Sequence, residues 1–367
     1  MARKFGKKNV IKINPVEYNL GLIGESGIGK TTLAKEVCEK LVGEDGYIIA
    51  NIGKEDGIDA IAGASYEDIP DWDTFEAFTE DIIKNRSTDY RDLKVIVYDT
   101  FDELVRITEP EVIRLHNKEN PDKRVKSIKA AFGGYMGGED KAIELILEKM
   151  WELKKVGIYM FILGHTKKRT MTDLVTGIEY DMLTTNMSHR YFNAIKTKLH
   201  VLGVASINRQ IATESVPQKV GKNKIVGKIV DESRIITFRD DNFNIDSKSR
   251  FADIVHSIPL DADLFIEAIE NAIKSAFEKQ GSKSNIEDVK IEQEKTEKKR
   301  VAKAVAEINK GERNVELTEI IKEKFTDADE SIKNKIKEIM DEYNIDSLKN
   351  VETNPTEALE KMVEVLG

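Results

Sequence analysis

The octet Gly24–Thr31 constrains this chain more than any other feature, because it reads Gly-Glu-Ser-Gly-Ile-Gly-Lys-Thr. Its glycines permit a tight turn in which successive backbone N–H groups point inward and bind phosphate oxygens. The Lys30 ammonium then lies near the β- and γ-phosphates, and the Thr31 hydroxyl is a ligand for Mg²⁺. An apolar run precedes the octet, and apolar residues at helical spacing follow it, as a strand–loop–helix phosphate site requires. The residues predicted to contact the nucleotide are Gly24, Glu25, Ser26, Gly27, Ile28, Gly29, Lys30, Thr31 and Thr32.

Apolar runs alternate with amphipathic segments from residue 18 to about residue 207, which predicts an α/β fold with a mostly parallel sheet. The predicted strands are Leu20–Ile23, Tyr47–Ile52, Val95–Tyr98, Ile158–Leu163 and Val201–Ile207. The predicted helices are Thr31–Val42, Thr74–Lys84, Phe101–His116 and Asp140–Lys155. A β-hairpin is expected from Lys224–Val230 and Arg234–Phe238, followed by a helix over Ala262–Lys279.

Length and charge suggest four segments in the 367 residues. They are a basic arm (1–12), an ATPase core (13–279), a linker (280–299) and a helical C-terminal module or tail (300–367), with amphipathic stretches near 300–309, 315–325, 329–343 and 356–366. The net charge of −9 argues against wholesale coating of nucleic acid, although it permits a local basic groove. The single cysteine, Cys38, excludes an intramolecular disulfide. We found no membrane span or signal peptide, so a cytoplasmic location is expected.

An apolar strand that ends in an acid supplies the second half of the predicted site. Asp99 ends Val95–Asp99, about 65 residues after the phosphate loop, and is expected to bind Mg²⁺ opposite Thr31. Hydrolysis also needs a carboxylate that orients water. Glu55 and Glu103 both remain candidates, with Glu55 favoured because position 103 can simply begin a helix.

His165 follows another buried-strand pattern, Ile158–Leu163. Ligands bind at the carboxyl edge of open α/β sheets, so this side chain is predicted to contact the γ-phosphate and report its presence. A purely structural histidine is the alternative.

Together these elements resemble the RecA-like recombinase ATPases over roughly residues 10–255, and look closest to the phage Sak-type single-strand annealing ATPases among phage AAA-family nucleotide-binding proteins. The resemblance implies two DNA-binding loops, Ser127–Gly138 and Thr166 to about Arg190. Aromatic rings there can stack on bases, and cations can bind phosphates. The residues concerned are Lys126, Lys129, Phe132, Tyr135, Lys167, Lys168 and Arg169.

The same resemblance places Lys248 and Arg250 as a finger that reaches the γ-phosphate of a neighbouring subunit in a ring or filament. Bacterial recombinases carry glutamine at the position of His165, and the expected strand-end glutamate is offset to Glu55. Strand exchange is therefore not implied, whereas ATP binding is.

Three functions remain open, since fold alone does not choose among them. The first is a Mg²⁺-dependent, DNA-stimulated ATPase that binds single-stranded DNA and promotes annealing or recombination, in the host cytoplasm if phage-encoded. The second is a helicase-related motor or loader whose C-terminal tail binds a replication or single-strand-binding protein. The third is a nucleotide-dependent switch that binds protein partners without DNA.

Overall fold

A ten-stranded sheet forms the centre of the described chain. The computed structural model describes residues 6, 9–53, 57–172, 176–216, 224–239, 247–281, 285–351 and 354–367. The strands are β1 (Leu20–Gly24), β2 (Tyr47–Ile52), β3 (Tyr66–Ile69), β4 (Val95–Asp99), β5 (Tyr159–Thr172), β6 (Glu179–Thr185), β7 (Val201–Val216), β8 (Lys224–Thr237), β9 (Lys248–Ser249) and β10 (Ser257–Pro259).

Helices cover both faces of this sheet. They are α1 (Lys30–Val42), α2 (Trp72–Lys84), α3 (Phe101–Glu119), α4 (Gly137–Lys155), α5 (His189–Lys196), α6 (Ala262–Lys279), α7 (Ile286–Asp327), α8 (Glu330–Glu342) and α9 (Thr356–Leu366). One hydrophobic cluster joins α1 and α6 to the sheet, and a second joins α2 to α5 to the opposite face. Within the described ranges, no helix is both long enough and apolar enough to cross a bilayer.

The strand order is β10-β8-β7-β1-β5-β4-β2-β3, with β1 near the middle. The six strands from β7 to β3 run parallel, so their carboxyl ends meet at one edge. The fold is therefore as predicted: an α/β phosphate-loop core with a mostly parallel sheet, followed by a C-terminal helical region. The strands that carry functional residues read as continuous apolar runs because both of their faces are covered.

The predicted second loop, Thr166 to about Arg190, is wrong. β5 continues to Thr172 and pairs antiparallel with β6, from Thr166↔Thr185 to Thr172↔Glu179. We call this pair the β5/β6 ribbon. The outer part of β5 reads Thr-Lys-Lys-Arg-Thr-Met-Thr, which suits a solvated strand but lacks the apolar alternation by which a half-buried strand is recognised.

The predicted hairpin between residues 224 and 238 is also wrong. β8 is one strand that pairs antiparallel with β7, from Val204↔Thr237 to Val216↔Lys224, with an irregularity at Gln210/Ile211. We call the part of this pair beyond Ser206 the β7/β8 ribbon. Asp231-Glu232-Ser233, which reads as a turn, lies within β8 opposite Asn208–Gln210.

Helix α7 runs through the predicted linker of residues 280–299, because residues 286–299 form its first turns. This part docks on the core: Tyr159 Oη donates to Glu297 Oε1 at 2.6 Å, and Arg300 donates to the carbonyls of Lys154 and Lys155. The far end of α7 packs with α8 and α9 around a separate cluster that includes Leu317, Ile336 and Leu359. The two predicted stretches 300–309 and 315–325 are thus one helix.

Candidate nucleotide site

The phosphate loop joins the end of β1 to the start of α1, as the sequence predicted. Gly27 and Gly29 have φ angles of +75° and +107°, which residues that carry a Cβ adopt only with backbone strain. The loop therefore curls so that the Lys30 ammonium turns back and donates to the carbonyls of Gly24, at 3.2 Å, and Glu25, at 3.0 Å. Lys30, which is only 6 % exposed, is thus held over a concave loop at the N-terminus of α1. The N-terminus of a helix attracts phosphate.

Thr31 and Asp99 meet at the carboxyl edge of the sheet. The Thr31 hydroxyl donates to Asp99 Oδ2 at 2.6 Å, and Asp99 ends β4 in a buried position. A hydroxyl and a carboxylate oxygen side by side are the hard ligands that Mg²⁺ takes at nucleotide sites, where phosphates and water complete its coordination. These two residues fit the predicted metal role.

His165 lies beside the phosphate loop, because β5 pairs with β1 in the register Gly24↔His165. Its Nδ1 is 2.8 Å from Asp102 Oδ2, and its backbone N–H donates to Asp102 Oδ1 at 3.3 Å. Burial acts to raise the pKa of Asp102, but the hydrogen bond and charge of His165 outweigh it, and the net effect lowers that pKa. A sequence signal for this pairing was absent, since Asp102 reads as an ordinary first-turn helix residue.

Glu103 lies close to the end of β2. Gly53, at φ +79°, packs so tightly against it that a Cβ there would lie 2.5 Å from Glu103 Oε2. Arg106 contacts the same carboxylate at 3.0 Å, and the Glu103 side chain is 14 % exposed. The competing candidate, Glu55, lies outside the described residues. Glu103 is therefore a half-buried carboxylate at the nucleotide edge, and the choice between the two acids stays a prediction.

Arg234 is a residue of this edge that motif reading missed. From β8 it donates through Nη1 to the carbonyl of Ile28 at 3.2 Å, across a separation of 206 residues. Leu260 accompanies it, with Cδ2 3.3 Å from where a Cβ on Gly29 would stand. A lone arginine in a strand carries no sequence signal for such a contact.

The first predicted DNA loop holds its two aromatic rings differently. Tyr135 is 96 % exposed at φ +42°, in a run of left-handed residues from Phe132 to Met136. Phe132 instead packs edge-on against His116, with ring centroids 5.2 Å apart, and its N–H donates to His116 Nδ1 at 3.0 Å. The prediction that Phe132 presents its ring for stacking is therefore wrong, because that ring fixes the loop to α3. Lys126 and Lys129 are exposed.

The other predicted DNA-binding cations lie on the β5/β6 ribbon. Lys167, Lys168 and Arg169 follow His165 within one strand, and Lys167 Nζ donates to the carbonyl of Asn186 at 3.1 Å. Alternation along the strand places Lys168 on the face opposite to Lys167 and Arg169.

Lys248 and Arg250 lie at the opposite edge of the sheet. β9 pairs with the first residues of β7, Val201 and Leu202, whereas the phosphate loop is level with Ala205. Arg250 donates to the carbonyl of Thr197 at 2.7 Å, and Lys248 donates to that of Lys196, so both cations cap the end of α5. Within one subunit these residues do not line the phosphate loop described above.

Comparison with known proteins gives one family. The family model described as the AAA domain matches residues 17–251, and no curated protein matches the chain. Among solved structures, the crystal structure of flagellar accessory protein FlaH from Methanocaldococcus jannaschii is similar at 9% identity. That match covers 64% of this chain and 81% of FlaH, with a TM-score of 0.28.

Proposed function

This chain belongs to the AAA domain family, and we propose that it is a Mg²⁺-dependent ATPase that binds single-stranded DNA and promotes annealing or recombination in phage-type DNA metabolism, in the cytoplasm. Family membership supports nucleotide-dependent activity. The DNA substrate, the annealing role and the likeness to Sak-type proteins are the proposal.

The nucleotide chemistry is assigned from the geometry of the loop. Lys30 and the N–H groups of Gly24–Thr31 bind the phosphates, and Thr31 with Asp99 holds Mg²⁺, which neutralises charge that develops on the phosphates. Glu103 or Glu55 orients the attacking water. We assign ATP over GTP because the sequence lacks a recognisable Asn-Lys-x-Asp guanine motif in the expected context.

The course of β5 is the single observation that carries the DNA-binding proposal. One strand places His165 level with the phosphate loop and Lys167–Arg169 two to four residues further on, in the ribbon. A strand paired along its length transmits a shift at one end to the other more directly than a loop does. Nucleotide contact at His165 would therefore shift the positions of the cations that bind the DNA backbone.

The second DNA-contacting element is the loop around Tyr135. An almost fully exposed aromatic ring next to exposed lysines suits sequence-independent stacking on bases, worth about 1–3 kcal/mol per base. Arg190, from the helix that follows β6, binds Asp140 Oδ1 at 2.9 Å through Nε, next to this loop. The ion pair joins α5, which follows the ribbon, to the first turn of α4, which follows the loop, and we propose that both elements contact one strand of DNA.

The position of Lys248 and Arg250 supports the proposed assembly into a ring or filament. In one subunit they lie at the edge opposite to the phosphate loop, so any contact they make with a γ-phosphate is with that of a neighbouring subunit. Mixing Arg250→Ala with Lys30→Ala subunits tests this: partial recovery of hydrolysis supports a contact between subunits, and none argues against it.

The deciding experiment is steady-state ATP hydrolysis with Mg²⁺, with and without single-stranded DNA. Lys30→Ala serves as the blank. The double variant Lys168→Ala/Arg169→Ala should lose stimulation by DNA and keep its basal rate. Lys335→Ala/Lys337→Ala, in α8, removes the same charge far from the ribbon and should behave as wild type. Hydrolysis that is indifferent to DNA would contradict the proposal.

A loader or motor is the second candidate, favoured by the separate hydrophobic cluster at the end of α7. Truncation after Lys310 removes that cluster and keeps the docked part of the helix. An annealing ATPase should keep DNA-stimulated hydrolysis after this truncation. A loader should lose its partner, a replication or single-strand-binding protein. A switch without DNA should show neither DNA binding nor stimulation.

A further inference from the structure

The strand order divides the nucleotide site into two sides. β5 and β4 lie on one side of β1 and carry His165 and Asp99, whereas β7 and β8 lie on the other side. Mg²⁺ held by Thr31 and Asp99 would place the γ end of a bound nucleotide on the Asp99 side of the loop. The nucleoside end must therefore leave the phosphate loop toward β7 and β8.

Arg234 occupies that second side. Along β8, alternate residues share one face, so Arg234 projects on the same face as Ile236 and Phe238. Those two pack in the cluster that contains α1. Arg234 therefore lies on the face of the sheet that α1 covers, two residues before the packed Ile236. Its Nη1 donates to the Ile28 carbonyl.

Leu260 completes a short wall next to the loop. Its backbone N–H donates to the carbonyl of Arg234 at 2.9 Å, which fixes the two residues together. A Cβ on Gly29 would lie 3.3 Å from Leu260 Cδ2 and 3.8 Å from Arg234 Nη1. Glycine at position 29 therefore leaves the room in which these side chains approach the loop.

We infer that Arg234 and Leu260 form the nucleoside-binding side of the site, where the Arg234 guanidinium lies against the base and Leu260 supplies apolar contact. This inference rests on the proposed nucleotide binding. Arginine suits the role because its guanidinium is planar and weakly hydrated, and it stacks on aromatic rings, whereas lysine is a compact, strongly hydrated point charge. Because stacking uses the face of the base, it favours the larger purines over pyrimidines.

The test compares two ligands that share the phosphates and differ in the nucleoside, Mg²⁺–ATP and Mg²⁺–tripolyphosphate, by isothermal titration calorimetry. Arg234→Ala should weaken ATP binding roughly tenfold, the scale of a desolvated arginine–ring contact, and leave tripolyphosphate binding unchanged. Arg234→Lys should be nearly as weak as Ala. Arg209→Ala, on the same ribbon, should match wild type, because Arg209 is paired with Glu232.

Equal weakening of both ligands would overturn the inference, because Arg234 would then contact phosphate. Unchanged ATP binding, or full recovery with Arg234→Lys, would overturn it as well. Failure of the proposed function has a different signature: wild type binds neither ligand, or Lys30→Ala binds both as well as wild type does.

Discussion

The imidazole Nδ1 of His165 lies 2.8 Å from Oδ2 of Asp102, and this pair joins β5 to the first turn of α3. Asp102 also accepts the backbone N–H of His165, so the carboxylate holds both the ring and the strand end. An imidazole held through one nitrogen has a fixed orientation and tautomer. The pair is suited to detecting phosphate at the loop that lies alongside.

Replacing Asp102 with Asn tests that role. Hydrogen bonds to charged groups are worth about 1.5–3 kcal/mol. Asp102→Asn removes the charge that orients His165, and we expect this to lower kcat by about tenfold. The Kd for ATP should stay near wild type, because the phosphate loop is untouched. Rapid-quench hydrolysis and equilibrium ATP binding measure the two quantities separately. Asp122→Asn, at an exposed turn, is the matched control, and an equal rise in the Kd for ATP would argue against a sensing pair.

The ion pair between Arg190 and Asp140 should matter for DNA more than for stability. Both side chains are partly exposed, and such pairs contribute about 0–1 kcal/mol to folding. Arg190→Ala releases the Tyr135 loop from α5 and should weaken binding to oligodeoxythymidine about threefold to tenfold, as measured by fluorescence anisotropy. The swapped pair Arg190→Asp/Asp140→Arg should recover part of the loss, and Arg313→Ala should have no effect. An unchanged affinity of Arg190→Ala for oligodeoxythymidine would show that the loop does not take part in DNA binding.

His200 makes folding sensitive to acid. Burial first, and then the charges of Lys154 and Arg250, lower its pKa to about 4. The unfolded chain, with a histidine pKa near 6.5, therefore binds more protons between about pH 6.5 and 4. The stability contribution of the neutral ring is present above that window and is lost as pH falls through it.

Urea unfolding at pH 7.5 and pH 4.5 tests this dependence. His200→Asn, which can still accept the N–H of Asn19, should lose less stability than wild type on acidification, by about 1–2 kcal/mol after allowing for solvent screening. His189→Asn, at the exposed start of α5, should follow the wild-type profile. Identical slopes for wild type and His200→Asn would contradict the assignment.

Docking of α7 depends on Gly157. A Cβ at this position would lie 2.5 Å from Val301 Cγ2, and φ is +82°. Gly157→Ala should therefore lower the free energy of unfolding by about 2–3 kcal/mol, of which about 1 kcal/mol is backbone strain. Gly63 has a similar φ of +70°, and a Cβ there would meet nothing within 4 Å. Gly63→Ala should therefore lower the free energy of unfolding only by the cost of backbone strain. The double variant Gly157→Ala/Val301→Ala, which shortens the contacting side chain, should recover part of the free energy of unfolding lost in Gly157→Ala. If Gly157→Ala and Gly63→Ala lower the free energy of unfolding equally, the contact with Val301 is unimportant.

Local pattern predicted much of the core. The phosphate loop, the strand that ends at Asp99 and helix Ala262–Lys279 follow from residue types and short-range periodicity, because each forms from neighbours in the chain. Strand boundaries were predicted less well where polar, exposed residues hide the strand pattern. Three of the four side chains of β3 are exposed, and so are those of residues 230–234 in β8. The 42 residues of α7 were divided because one half packs on the core and the other on a separate cluster.

The sequence by itself determined the phosphate loop, since its glycines, Lys30 and Thr31 lie within one short segment of backbone. Only the tertiary structure decided what surrounds that turn. The pairing of His165 with Asp102 and the approach of Arg234 to Ile28 join residues 63 and 206 positions apart. Such contacts depend on strand order and register, which long-range packing sets and a local motif does not encode.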